Sequence, residues 1–258
     1  MTNQAPHQDV YSRVTSRIVA DLEQGVRPWL KPWSATHAAG AITRPLRANG
    51  VPYRGINVLL LWSAAQAKGY SVPFWFTYKQ AATMGAQVRK GEHGSLVVYA
   101  DKFTKTETDD HGQEAEAFFA ATGATIQHGG NRAFYAPSRD LVQMPPRESF
   151  RDPESYAATL AHELTHWTAH PSRLARELGK RFGDQAYAAE ELIAEMGSAF
   201  LCADLGITPE VRDDHASYLA HWLQVLKTDS RAIFTAASQA QRAADYLHNF
   251  SQPQQAAA

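Results

Sequence analysis

The chain has 258 residues, of which 44% are hydrophobic and 20% are charged. This length allows one large domain or two ordinary ones, and the composition is that of a soluble globular protein. No apolar stretch is long enough to cross a bilayer, and no apolar segment follows the polar N-terminus, so we expect no membrane span, no signal peptide and a cytoplasmic location. The single cysteine, Cys202, excludes an intrachain disulfide and fits a reducing compartment. Its apolar neighbours favour a packed thiol over a nucleophile.

Charge is distributed unevenly along the chain. Residues 1–100 contain eleven Lys and Arg against four Asp and Glu, whereas residues 101–258 contain fourteen against twenty-two. Opposite charge balances in the two parts predict two domains with different partners. The basic part is the one suited to a polyanion.

The first part is predicted to mix helices with short strands. Apolar residues at helical spacing predict a helix within residues 7–24, and a second helix is expected to stop at Gly69. Further along we expect a short helix or turn at 78–88, a strand at 94–103, a hairpin tip or linker at 104–116 and two short strands within 132–146.

The second part is predicted to be mostly helical. One helix should begin with Asp152 as N-cap and Pro153 in the first position, and should end before Pro171. Three more are expected within residues 184–206, 213–229 and 230–250, followed by a frayed tail at 251–258.

The first of these helices carries the pattern H-E-x-x-H. His162 and His166 are four residues apart, so their imidazoles lie on one face of the helix and can reach one metal ion. Glu163 lies next to the first His, where it can take a proton from metal-bound water. The pattern therefore predicts a zinc site with its own general base.

A catalytic zinc requires a third protein ligand and one open position. The following helix offers Glu191 and Glu195 on one face, and we assign Glu191 as ligand and Glu195 as the acceptor that orients an imidazole N–H. These two roles are interchangeable on sequence grounds. Glu190 is expected to point elsewhere and to be solvated. His215 and His221 are rival third ligands, although capping or packing suits them better.

Cations and aromatic rings alternate through residues 27–79. Single-stranded nucleic acid is bound by this chemistry, since cations follow the phosphates and aromatic faces stack on unpaired bases. We expect Trp29, Trp33 and Tyr53 to be partly exposed, and Trp62 and Phe74 to be buried. The candidate DNA-binding residues are Arg27, Trp29, Lys31, Trp33, Arg44, Arg47, Tyr53, Arg54, Trp75, Tyr78 and Lys79.

Five segments together resemble the ArdC-type antirestriction proteins of conjugative plasmids and related mobile elements. They are "RPLRANGVPYRGINVLLLW", "FTYKQAATMGAQVRKGEHGSLVVYADKF", "HGGNRAFYAPSRDLVQMPP", "LAHELTHWTAHPSRL" and "YAAEELIAEMGSAFLCADLGI". The resemblance implies an N-terminal domain that binds single-stranded DNA and a C-terminal zincin-like metallopeptidase domain. It places the family's metal motif on His162, Glu163 and His166, and its acidic motif on Glu190, Glu191 and Glu195.

We therefore predict an α+β protein with an α/β single-stranded-DNA-binding domain at residues 1–145, a mostly helical zincin-like domain at 146–250 and a disordered tail at 251–258. The segment after "YADKF" is shorter than in the family and lacks an F-N-x-x-Q-like strand. Two functions are compatible with these features. One is a zinc-dependent peptidase that protects incoming DNA from restriction, with a host restriction component as its protein substrate. The other is a non-enzymatic shield of single-stranded DNA with a structural zinc.

Overall fold

The computed structural model describes residues 9–30, 43–98, 114–178, 185–208 and 215–251. Within these ranges the chain combines helices with two small sheets, which confirms the predicted α+β class. No helix in the described ranges has the length and apolar character that a membrane crossing requires. The predicted tail lies outside the described residues.

The N-terminal part contains three helices and a two-stranded sheet. Asp9 caps the first helix through the backbone N–H of Ser12, and Gly69 ends the second in the left-handed conformation at φ 67°. The strands pair in parallel, with Leu46 opposite Phe74. The elements are α1 (Val10–Glu23), β1 (Leu46–Arg47), α2 (Ile56–Lys68), β2 (Phe74–Trp75) and α3 (Tyr78–Thr83).

A second sheet precedes the metal-motif helix. Its middle strand, β5, pairs in parallel with β3 and antiparallel with β4, and it is the most buried of the three. The elements of this region are α4 (Glu114–Ala121), β3 (Thr125–His128), β4 (Phe134–Ala136) and β5 (Leu141–Met144). The sheet packs against the next helix, α5.

Four helices complete the fold, and α6 is the central one because it packs against α5, α7 and α8. Asp152 caps α5 by accepting from the backbone N–H of Ser155 at 2.7 Å, and Pro153 occupies its first turn, as predicted. The helices are α5 (Pro153–Trp167), α6 (Gln185–Asp204), α7 (His215–Thr228) and α8 (Ala232–Ser251).

One hydrophobic core extends through both parts of the chain. Trp62 of α2 packs against Phe200 of α6 with their rings 6.1 Å apart, and Arg44 makes a two-point ion pair with Asp204 at 2.5 and 2.7 Å. The domain boundary at residue 145 stays a prediction, but the core already crosses it.

Two element predictions need correction, and one strand was missed. Residues 94–98, the described part of the expected strand at 94–103, are not in a strand. The expected linker at 104–116 includes the start of α4, since residues 114–116 are helical, while 104–113 lie outside the described residues. Strand β3 was not predicted. Its side chains are mostly exposed, so apolar and polar residues do not alternate along it in the way that predicts a strand. The adjacent Gly129 and Gly130 also obscure where it ends.

Candidate metal centre

Helix α5 places both histidines of the H-E-x-x-H pattern in the interior. The Nε2 atoms of His162 and His166 are 3.2 Å apart, and both side chains are buried. Two imidazoles that point the same nitrogen at each other form the start of a metal site, because a cation between the lone pairs removes their repulsion. The four-residue spacing on a capped helix is what produces this arrangement.

Helix α6 supplies a carboxylate to the same point. The Glu191 oxygens lie 3.6 Å from His162 Nε2 and 3.6 Å from His166 Nε2. One donor atom from each of the three residues falls within 4.8 Å of the others, which makes them the metal-type cluster of the described residues. Neither Glu195 nor His221 belongs to this cluster, and the side chain of His215 lies outside what the structure describes. The geometry therefore favours Glu191 over its rivals.

The other ring nitrogen of each histidine faces a separate carboxylate. His162 Nδ1 is 3.5 Å from Glu195, and His166 Nδ1 is 3.2 Å from Glu190. Carboxylates in these places fix the tautomer that leaves Nε2 free for a metal. The expectation that Glu190 is solvated was wrong, because its side chain is 2% exposed and directed at His166. Consecutive residues of a helix point about 100° apart, but Glu190 and Glu191 can still contact two sides of the same cluster.

Arg176 holds Glu190 in place, and sequence reasoning missed it. Its Nε and Nη2 atoms donate to the two carboxylate oxygens of Glu190 at 3.0 and 2.8 Å. The same guanidinium donates to the Thr165 carbonyl at 2.7 Å and to the Thr168 hydroxyl at 2.8 Å, at the C-terminal end of α5. A buried carboxylate requires such a partner. The sequence signal was weak, since Arg176 lies in a loop.

The local charges favour a cation at this point. Burial alone would lower the pKa of His166, but Glu191 and Glu190 outweigh it and raise that pKa to about 9. Burial alone would raise the pKa of Glu191, whereas His166 and His162 bring it down to about 2. The surroundings thus stabilise positive charge beside an ionised carboxylate. Two imidazole nitrogens and one carboxylate oxygen also match the ligand preferences of divalent zinc.

A glycine lets the two helices approach closely. A Cβ atom built on Gly197 would lie 2.6 Å from the Thr165 methyl and 2.8 Å from its hydroxyl. Thr165 directly precedes His166, and Gly197 lies two residues after Glu195. The contact therefore sets the distance between α5 and α6 where the metal-type cluster forms.

Two further side chains bear on the chemistry. Glu163 is 2% exposed and lies beside His162 in sequence, and its role as general base stays a prediction. Cys202 is fully buried in α6, and burial raises the pKa of its thiol to about 12. A thiol that resists ionisation fits the predicted packing role.

The structure buries two of the described candidate DNA-binding residues and engages a third in an ion pair. Trp29 is fully buried against Trp222, so the expectation that it is partly exposed was wrong. Arg44 is 6% exposed and its charge is engaged by Asp204. Arg54 pairs with Asp245 of α8. A loop residue has no periodicity that reveals which way it faces, so composition alone could not separate these residues from exposed ones.

Other candidates remain at or near the surface. Tyr78 is 76% exposed and Lys79 is also exposed, whereas Trp75 and Tyr53 are half-buried. Arg47 lies over the Tyr53 ring at 5.2 Å, and Arg27 is half-buried. Lys31 and Trp33 lie outside the described residues. Trp62 is buried, as predicted.

Five aromatic rings lie close together in sequence at residues 70–78, most of them exposed, and sequence reasoning identified them only in part. The expectation that Phe74 is buried was wrong, because the two-stranded sheet has no layer over it within the described residues. Phe74 stacks on Phe76 at 6.5 Å, and Tyr70 meets Trp75 edge-on at 5.8 Å. We call this surface the aromatic face, and it consists of Tyr70, Phe74, Trp75, Phe76 and Tyr78.

Comparison with known proteins places both parts of the chain in one family. Residues 8–128 match a family model described as the N-terminal domain of anti-restriction factor ArdC. Residues 113–239 match a model described as a zincin-like metallopeptidase. A crystal structure of the antirestriction ArdC protein from the R388 plasmid, described as metal-free, superposes with a TM-score of 0.80 at 42% identity. The superposed region covers 95% of this chain and 98% of the R388 ArdC chain. The chain belongs to the ArdC antirestriction family.

Further relatives support ArdC membership along the whole chain. A protein of Sinorhizobium fredii named y4eC is 42% identical over 96% of this chain and 94% of its own length. The DNA primase TraC of Escherichia coli is 36% identical over 95% of this chain, which spans only 27% of that primase. A second crystal structure of the R388 ArdC protein is described as Mn(II)-bound and has a TM-score of 0.79 at 42% identity, with 96% of this chain and 100% of that chain covered. The zincin-like domain and the buried donor set support a divalent metal here.

Proposed function

We propose that this chain is an antirestriction protein of a conjugative plasmid or related mobile element. It acts in the cytoplasm, binds single-stranded DNA through its N-terminal part and carries a zinc-dependent peptidase-like site. The observation that carries the proposal is the buried cluster of His162, His166 and Glu191, with Glu163 inside the same helical motif. A site that only needed to hold a metal would not require Glu163.

The residues of the cluster have separable tasks. His162, His166 and Glu191 would hold the zinc, while Glu195 and Glu190 orient the two imidazoles. A bound zinc ion would polarise the scissile carbonyl and make its water more acidic. The Glu163 carboxylate would accept the proton from the attacking water and return it to the departing amine. A host restriction component is the proposed substrate.

The aromatic face is the proposed DNA-binding surface. Lys68 lies over the Tyr70 ring at 5.6 Å, and Lys79 is an exposed cation next to Tyr78 in the chain. Exposed rings bordered by cations offer stacking to unpaired bases and neutralise phosphates. In a duplex the bases are already stacked, so we propose a preference for single strands.

The second candidate function is a non-enzymatic protein that shields single-stranded DNA and holds a structural zinc. Its support is that the aromatic face contains none of the residues of the metal centre. Protection of incoming DNA could then depend on coverage of the strand alone.

A plasmid-transfer assay into a restricting host separates these two functions. Wild type, Glu163→Gln and Phe76→Ala/Tyr78→Ala are compared at matched protein levels. The peptidase proposal predicts that Glu163→Gln loses protection while its single-strand affinity is normal. The shield predicts full protection by Glu163→Gln and loss of protection only in the aromatic variant.

A further inference from the structure

Four aromatic side chains form a continuous column from the metal centre into the N-terminal part. The hydroxyls of Tyr187 and Tyr218 are 3.2 Å apart, and the Tyr218 ring stacks on Trp222 at 6.2 Å with an interplanar angle of 18°. Trp222 then meets Trp29 edge-on at 5.9 Å. We call these four residues the aromatic column. It connects α6, α7 and the segment that follows α1.

One end of the column contacts a residue of the metal-type cluster. Tyr187 lies one helical turn before Glu191 on α6, so the two side chains share one face of the helix and the Tyr187 hydroxyl can reach the Glu191 carboxylate. Because an ionised carboxylate only accepts, Tyr187 must donate to Glu191. The Tyr187 oxygen can then accept from the Tyr218 hydroxyl 3.2 Å away. This order of donors holds the carboxylate of Glu191 in one orientation.

The other end is fixed by burial. Trp29 and Trp222 are among the largest side chains that are fully buried, so neither ring can move without disturbing the core. Tyr218 therefore packs against the fixed ring of Trp222, which in turn packs against Trp29 of the N-terminal part.

We propose that Tyr187 is a positioning residue for Glu191, and that the column makes Trp29 of the N-terminal part a component of the metal site. The inference rests on the proposed role of Glu191 as third ligand. Its physical basis is that a carboxylate ligand binds best when it is already held in one orientation, so that little rotational freedom is lost on binding. The column holds that carboxylate through Tyr187 of α6, which is supported in turn by Tyr218 and Trp222 of α7 and by Trp29.

The first test measures zinc affinity of the full chain by competition with a chromophoric chelator. Tyr187→Phe keeps the ring and removes only the hydroxyl, and we expect it to weaken zinc binding by about 10–100-fold, as is typical when a partner of a metal ligand is lost. Tyr218→Phe should weaken it less, because Tyr187 can still donate to Glu191. The matched control is Tyr135→Phe, which removes a hydroxyl bonded to the Asp140 carboxylate at 2.8 Å, away from the cluster.

The second test is a double-mutant cycle between Trp29→Phe and Tyr187→Phe, again with zinc affinity as the readout. If the column acts through the Tyr187 hydroxyl, Trp29→Phe weakens zinc binding in the wild-type background and has no further effect in the Tyr187→Phe background. An equal loss in both backgrounds would mean that Trp29 acts through general stability, and would overturn the N-terminal part of the inference. The cobalt-substituted protein gives an independent readout, because its visible spectrum should change in Tyr187→Phe and remain that of wild type in Tyr135→Phe.

The outcomes separate this inference from the function on which it rests. Wild type that binds zinc, together with Tyr187→Phe that binds it equally well, overturns the inference and leaves the proposed metal site intact. Wild type that fails to bind zinc overturns both. Unchanged zinc affinity in Trp29→Phe, with a large loss in Tyr187→Phe, restricts the positioning role to α6 and α7 and overturns the role of Trp29.

Discussion

The metal centre lies on two helices, whereas the aromatic face lies on loops, a two-residue strand and the short helix α3. In the metal centre each side chain has a defined partner and almost no solvent contact. In the aromatic face the rings meet in two pairs, Tyr70 with Trp75 and Phe74 with Phe76, and all but the half-buried Trp75 are exposed. The difference matches the ligands that we propose. A metal ion requires donors fixed before it binds, while a flexible strand of DNA requires accessible rings.

The difference between helix and loop positions also determined which site residues could be predicted from the sequence. His162 and His166 have a fixed angular relation on a helix, so their meeting was predictable from spacing alone. Glu190 escaped prediction because its role depends on Arg176, which the loop after α5 brings back. The helix limits near Asp9, Gly69 and Asp152 followed from capping chemistry.

Exposure in the basic part could not be predicted in this way. Trp29 and Arg44 belong to the same run of alternating cations and aromatic rings as Tyr78 and Lys79. The first two are nevertheless buried and the last two are exposed. Which of them faces solvent depends on contacts with α6, α7 and α8, which are more than 120 residues away in sequence. Long-range packing of this kind leaves no local pattern in a loop.

The largest expected effect concerns the basic residue that the structure removes from the DNA-binding set. Arg44→Ala removes the buried two-point partner of Asp204, which then keeps only His248 at 3.0 Å, and should cost about 3–5 kcal/mol in the free energy of unfolding. Arg54→Ala is the matched control, since its ion pair with Asp245 is partly exposed and should contribute about 0–1 kcal/mol. Chemical denaturation measures both. Equal small losses would contradict the structural role of Arg44.

The aromatic face should lose affinity for single-stranded DNA when its rings are removed. Phe76→Ala and Tyr78→Ala should each cost roughly 1–3 kcal/mol per base that stacks on the missing ring. Tyr11→Ala, an exposed ring outside the face, is the control and should bind normally. Titration of oligo-dT by fluorescence anisotropy gives the affinities, and the log–log salt slope should be about −0.7 per phosphate neutralised. Equal binding of blunt duplex and oligo-dT by wild type would refute the preference for single strands.

The contact between α5 and α6 should tolerate no extra methyl group. Gly197→Ala places a Cβ atom against Thr165, so the helices must separate, at a cost of about 1–3 kcal/mol in stability. Zinc affinity should fall as well, because Glu191 moves away from the two histidines. Gly94→Ala, where nothing lies within 4 Å of the added atom, is the control. Normal zinc affinity in Gly197→Ala would show that the site adjusts to helix separation.

The smallest expected effect concerns the cap of the metal-motif helix. Asp152→Ala should cost about 0.5–2 kcal/mol, whereas Asp152→Asn keeps an acceptor for the Ser155 N–H and should cost less. Hydrogen bonds from the Ser155 side chain, Arg151 and the Ser155 backbone lower the pKa of Asp152 from 3.8 to about 2 in the folded chain. Its stabilising contribution is therefore complete above pH 4 and is lost as the pH falls towards 2. Urea denaturation of wild type and Asp152→Ala at pH 6 and pH 3 should show the difference shrinking, and a constant difference would exclude the cap as its source.

The most direct test of the metal centre is anomalous diffraction from crystals of the full chain grown with zinc, with data collected on both sides of the zinc absorption edge. We predict one strong anomalous peak per chain, bonded to Nε2 of His162, to Nε2 of His166 and to the Glu191 carboxylate at about 2.0–2.2 Å. Glu190 and Glu195 should remain beside the Nδ1 atoms of His166 and His162 and should not contact the ion. A peak ligated by Glu195 or Glu190 in place of Glu191, or no peak between the two histidines, would contradict this account.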